Sequence, residues 1–144
     1  LHICGMEGEQ DFQLSYVEEL RSSNIINHGF IDIRDQKFKS ILANCGYIIF
    51  PSASEGGSPS VLNTIVNGAL FPIVTKNTSF DIPNMVEIDD FKVGSISKAI
   101  ERVEKINDIE FKKLCEENAE FALKFHTKKN YKKFLKDAIT KILK

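Results

Sequence analysis

Short apolar runs alternate along this chain with stretches whose apolar residues recur every three or four positions. Leu1 to Cys4 reads as a buried strand ending at Gly5. Phe12, Leu14, Tyr16, Val17 and Leu20 form a helical stripe from Asp11 to about Ser22, and Ile25 to Ile31 reads as a short strand. Asp35 to Asn44 reads as a helix with Phe38, Ile41 and Leu42 on one face. Tyr47 to Phe50 predicts a strand, Pro59 to Asn67 a helix, Leu70 to Val74 a strand and Met85 to Ile88 a further short strand. Strands alternating with helices predict an α/β fold, a parallel sheet with helices on both faces.

After Gly94 the period changes. Ile96, Ala99, Ile100, Val103 and Ile106 mark one helix; Phe111, Leu114, Cys115, Ala119 and Ala122 mark a second. Tyr131, Phe134, Leu135, Ala138, Ile142 and Leu143 mark a third. The expectation is one domain over residues 1–144 whose end, residues 108–144, is a C-terminal helical segment. Neither an internal repeat nor a linker divides it.

Chemistry concentrates in FPSASEGGSPSVLNTIVNGALFPIVT, residues 50–75. An apolar run stops at Pro51, a small polar loop carries Glu55, Gly56, Gly57 and Ser58, and Pro59 opens a helix. Ser58 before Pro59 is a good helix start, because serine accepts from free N–H groups and proline has none to lose. The two glycines leave the backbone open to close approach, and the helix start suits a phosphate. An ordinary capped turn explains the same spacing. Glu55 tips the balance, since a turn needs no acid there. Beside a phosphate it would repel the anion, so sugar hydroxyls are its natural donors. Asn63, one turn into the helix, either meets hydroxyls too or is only a polar helix position.

Composition narrows the classes. The 144 residues carry a net charge of −1, which argues against a nucleic-acid partner. No apolar run approaches a membrane span. Cys4, Cys45 and Cys115 have no C-x-x-C spacing and read as small buried residues in a reducing, cytoplasmic setting. Asp89 and Asp90 form either a metal-binding pair or, preferably, a solvated turn before Gly94. Gly5 and Gly8 are weak as a phosphate loop. His28 reads as a surface or half-buried residue rather than a base, and His126 as the end of a helix. Charge is uneven: residues 124–144 hold eight lysines and one aspartate, a local +7 that leaves −8 on the rest. That lysine-rich helix either packs its apolar face on the core or meets anionic lipid headgroups, a peripheral contact at the inner membrane face.

The segment from Pro51 resembles the donor-site signature of GT-B glycosyltransferases, in the large retaining class called glycosyl transferases group 1. Pro51, Ser52, Glu55, Gly56, Gly68 and Pro72 match that signature in order and spacing. LHICG, INHGFID and KSILANCGYIIFPS resemble the strands and helix that precede the donor loop. The resemblance covers roughly residues 1–105. It implies a Rossmann-like sheet, half of a GT-B fold, and a nucleoside diphosphate sugar as substrate with no metal or other cofactor. Glu55 would bind hydroxyls of the transferred sugar, Gly57 and Ser58 would lie against the diphosphate, and Gly56, Ser60 and Val61 would belong to the same donor site. Asn63 would hold the ribose, and His28, Gly29, Phe30 and Ile31 would line the base pocket.

There are three departures. Asn63 stands where the signature has glutamate. Pro59 removes one backbone donor from the helix start. The chain begins at Leu1 in what reads as mid-strand, so the family's diphosphate-neutralising Arg and Lys and its N-terminal acceptor domain fall outside it. The expectation is therefore the donor-binding half of a hexosyltransferase acting on a glycan or lipid-linked acceptor, inactive alone. The alternative is a non-catalytic domain of the same fold that binds a ligand or partner; a third is an unrelated doubly wound domain.

Overall fold

The computed structural model describes residues 1–5, 10–53, 56–78 and 81–143. They divide into two compact units, Leu1–Asn44 and Cys45–Lys144. The first holds β1 (His2–Ile3), α1 (Gln10–Ser15), α2 (Val17–Leu20), β2 (Ile26–Asn27) and α3 (Gln36–Leu42). β1 and β2 pair in parallel, His2 opposite Ile26 and Ile3 opposite Asn27. Gly5 N–H extends the contact to the Gly29 carbonyl at 2.8 Å. The strand expected to reach Ile31 stops at Asn27, because Gly29 turns the backbone to φ 63°. The single helix expected from Asp11 to Ser22 is two, broken at Tyr16 (φ −120°, ψ 29°). Neither piece buries a residue, so no packing holds one straight helix together. α3 agrees with its pattern: the Asp35 side chain caps it by accepting from Lys37 N–H, and Phe38, Ile41 and Leu42 are buried.

The second unit holds β3 (Tyr47–Phe50), α4 (Pro59–Gly68), β4 (Phe71–Thr75), a 3-10 turn (Lys76–Thr78), β5 (Val86–Ile88), α5 (Val93–Glu104), α6 (Asp108–Phe125) and α7 (Lys128–Ile142). Its three strands pair in parallel in the order β3–β4–β5. The strands therefore form two parallel sheets where the pattern suggested one. β1 and β2 are too short to offer more than a minimal ladder.

Strand alternation sorts the core of the second unit onto two faces. Phe71, Ile73, Val86 and Ile88 point one way, with Tyr47 and Ile49, against Ala99 and Val103 of α5 and Cys115 of α6. Ile48, Phe50 and Val74 point the other way, against Val61 and Ile65 of α4 and Ala119 and Ala122 of α6. Helices thus flank both faces of this sheet, and α6 serves both clusters. Ile65 and Ile73 are completely buried; such burial contributes roughly 1.5–3 kcal/mol per side chain. Every residue of β4 is buried, as its unbroken apolar run requires.

Two expectations fail here. Of the three cysteines only Cys115 is buried; Cys45 is intermediate and Cys4 exposed. The apolar face of α7 does not pack on the core: no residue of that helix is buried.

Candidate functional site

In a parallel sheet the strand carboxyl ends share one edge, and loops leaving that edge lie side by side. The loop after β3 and the 3-10 turn after β4 meet in this way. Thr75 Oγ1 donates to the Ser52 carbonyl, Thr78 Oγ1 to the Thr75 carbonyl at 2.7 Å, and Ser58 Oγ to the Thr78 carbonyl at 3.4 Å. The Thr75 and Ser58 hydroxyls therefore tie the two ends of the loop to the end of β4, and the Thr78 hydroxyl closes the turn between them. Nothing in the residue pattern singled out Thr75 or Thr78. Their signal was two hydroxyls directly after a buried strand.

Ser58 corrects the expected cap. It takes φ 40°, ψ 66° and turns its hydroxyl into the protein, where it is buried, so its side chain caps no N–H of α4. This left-handed conformation costs a non-glycine residue about 1–2 kcal/mol. The consequence is favourable for a ligand. Ser58 leaves the leading N–H groups of α4 without a cap from its own side chain, and no other described side chain bonds to them. Gly57 has φ 107°, and a methyl group added at Gly56 or Gly57 would meet nothing within 4 Å. The backbone there faces open space, and at Gly57 the conformation itself favours glycine.

Gly56, Gly57, Ser58, Ser60, Val61 and Asn63 thus lie on one continuous loop and first helical turns. Ser60 is exposed. Val61 is 0 % exposed and belongs to the core, so only its main chain is available to a ligand. Asn63 Nδ2 donates to the Pro59 carbonyl at 2.9 Å. Its side chain lies beside an open groove of about 340 Å³ lined by Pro59, Leu62 and Val66 of α4 and Ala122 and Leu123 of α6. Glu55, the acid on which the hydroxyl argument turned, lies outside the described residues, as does Gly8. Gly29, Phe30 and Ile31 belong to the first unit. Gly29 N–H bonds its neighbour Asn27 Oδ1 at 3.1 Å, and Phe30 is largely exposed.

Elsewhere the titratable groups are explained locally. His28 Nε2 lies 2.8 Å from His2 Nδ1 with the two rings parallel. One nitrogen donates to the other, so the pair holds at most one proton charge without losing the bond. Burial, then His2, then Lys37 depress the His28 pKa below its ordinary value. Asp90 turns to the Lys92 N–H, and its pKa is lowered by hydrogen bonds from Ser95 and then Lys92. His126 ends α6, with its Nε2 2.9 Å from the Asp81 carbonyl oxygen. Asn118 is the one buried polar side chain in the apolar stripe of α6. It clamps Asn84, accepting from its N–H at 3.0 Å and donating to its carbonyl at 2.7 Å. An asparagine among Cys115, Ala119 and Ala122 was its signal in the sequence.

The fold and loop together define an α/β protein with helix-flanked parallel strands and open backbone at the strand carboxyl ends. No protein-family model matches the chain, no curated protein matches it, and no solved structure matches it. Among the described residues no group of three or more His, Cys, Asp or Glu is placed to hold a metal ion, and no helix is long and apolar enough to cross a membrane.

Proposed function

We propose that this chain is the donor-binding part of a retaining GT-B glycosyltransferase that moves a hexose from a nucleoside diphosphate sugar. One observation carries the reading: the loop matching the family's donor signature lies at the carboxyl edge of parallel strands, with Gly56 and Gly57 bare to open space and the α4 N-terminus uncapped by any described side chain. A diphosphate seated there meets N–H dipoles fixed by the fold. Those dipoles favour the leaving diphosphate as it gains charge, because they need no reorganisation when the glycosidic bond breaks. The hydroxyls of Thr75 and Ser58 bind the two described ends of the loop, Ser52 and Ser58, to the end of β4. Glu55, preceding the glycines, accepts from hydroxyls of the sugar. Asn63 offers an uncharged amide where the family signature has an acid, which weakens its grip on ribose hydroxyls.

Calorimetric titration with UDP, GDP and their hexose conjugates, beside a Glu55→Ala variant, tests this. The expected result is binding of a sugar nucleotide that Glu55→Ala weakens, with the bare diphosphate unaffected. A Glu55→Ala variant that binds the sugar nucleotide as well as the parent removes Glu55 from the donor site. Absence of binding by either chain favours the second reading, a non-catalytic domain of the same fold.

A further inference from the structure

The last helix carries a surface that the donor-site reading does not use. In α7, Tyr131, Phe134, Leu135, Ala138, Ile139 and Ile142 are each three or four positions from others of the set and so share one face. That face is bare: Tyr131 is 66 %, Phe134 61 % and Ile142 82 % exposed. At 100° per residue, Lys129, Lys133 and Lys136 fall on the other side, and Lys128, Lys132 and Lys141 flank the apolar face. Across Lys128–Ile142 there are six lysines and one acid, Asp137. The root of the helix is fixed. Thr127 caps it by accepting from Asn130 N–H, and Asn130 Nδ2 donates to the Lys124 and Phe125 carbonyls at 2.8 and 3.2 Å. A helix anchored at one end, apolar on one side and cationic on the other, cannot lower its free energy in water by lying exposed.

We infer that α7 is a peripheral membrane anchor that lies in the plane of an anionic bilayer surface. Its apolar face enters the boundary between headgroups and acyl chains, and its lysines meet lipid phosphates and carboxylates. Charge selects this occupant over a second copy of the chain. A symmetric pairing through the same face brings two lysine-rich helices together, like charge against like. An anionic lipid surface offers the opposite sign along the whole helix. Fifteen residues are too few to span a bilayer and enough to lie along one. The inference stands apart from the donor-site reading and survives its failure.

The test is co-sedimentation of the chain with vesicles of phosphatidylcholine alone and of phosphatidylcholine mixed with phosphatidylserine. The chain contains no tryptophan, so Phe134→Trp supplies a single reporter on the apolar face. Binding is expected only to the mixed vesicles, with a blue shift of Trp emission and release by high salt. Lys132→Gln with Lys136→Gln should weaken partitioning by roughly tenfold or more, while the circular dichroism of the chain stays unchanged. Absence of binding to the mixed vesicles overturns the inference. So does binding that the lysine substitutions leave unaltered, or sedimentation equilibrium showing a dimer that Phe134→Ser breaks.

Discussion

Replacing Asn118 by alanine removes a clamp between the middle of α6 and the segment leading into β5. The side chain is 0 % exposed and makes two hydrogen bonds to the Asn84 backbone, 34 positions away in sequence. Each bond contributes about 0.5–1.5 kcal/mol net, and a buried group left without a partner costs about 1–3 kcal/mol. The expected loss is therefore about 2–4 kcal/mol, a large part of the 5–15 kcal/mol typical of a small protein. Urea unfolding followed by far-ultraviolet circular dichroism measures it. With a slope of about 1–3 kcal/mol per molar urea, the midpoint should fall by roughly 1–2 M. Lys112→Ala is the control: its contact with Glu116 is 3.9 Å long between exposed side chains, and its loss should cost less than about 0.5 kcal/mol. Asn118→Asp keeps the acceptor for Asn84 N–H but loses the donor to its carbonyl and buries a carboxylate. Burial raises that carboxyl's pKa above its unfolded value, so the Asp variant should be closest to the parent at low pH and worsen as pH rises. A loss below about 0.5 kcal/mol for Asn118→Ala would refute the clamp.

Three further outcomes are expected. The Asp32 carboxyl, held by Arg34 at 2.6 Å, should titrate near 2 by carbon NMR and move up towards the ordinary carboxylate range in Arg34→Ala. Its folded pKa lies below the unfolded one, so whatever the pair adds is present above pH 4 and disappears as pH falls towards 2. Burial, and next Glu116, push the Cys115 thiol up to about 11, so iodoacetamide at pH 8 should modify it only after urea unfolds the chain, as read by mass spectrometry. Gly57→Ala should cost about 1 kcal/mol or more in urea unfolding although the added methyl meets no atom, because φ 107° is a conformation that side chains avoid.

Much of the second unit was legible because its signals were strong and local. β3 was bounded by Gly46 and Pro51, α4 by Pro59 and Gly68, and α5 to α7 by clean periodicity. The first unit was less legible. α1 and α2 bury nothing, so a stripe that suggested one helix had no packing to keep it straight at Tyr16. At the site, the loop's place on the strand edge followed from the pattern, but Ser58 did not. Its propensity favours capping, and the left-handed entry to α4 turned its hydroxyl to Thr78 instead. The exposure of α7 was also beyond the sequence. An amphipathic pattern says that a face needs cover, and stays silent on whether the same chain supplies it.

The central claim is that the loop from Gly56 into α4 receives a nucleoside diphosphate sugar. Amide chemical shifts of the labelled chain, followed through a titration with UDP- and GDP-hexoses, test it residue by residue. Saturable shifts are expected at Gly56, Gly57, Ser58 and Ser60 with one of these donors and weaker ones with its free hexose. Shifts absent from these four amides at saturating donor, or centred elsewhere in the chain, would contradict it.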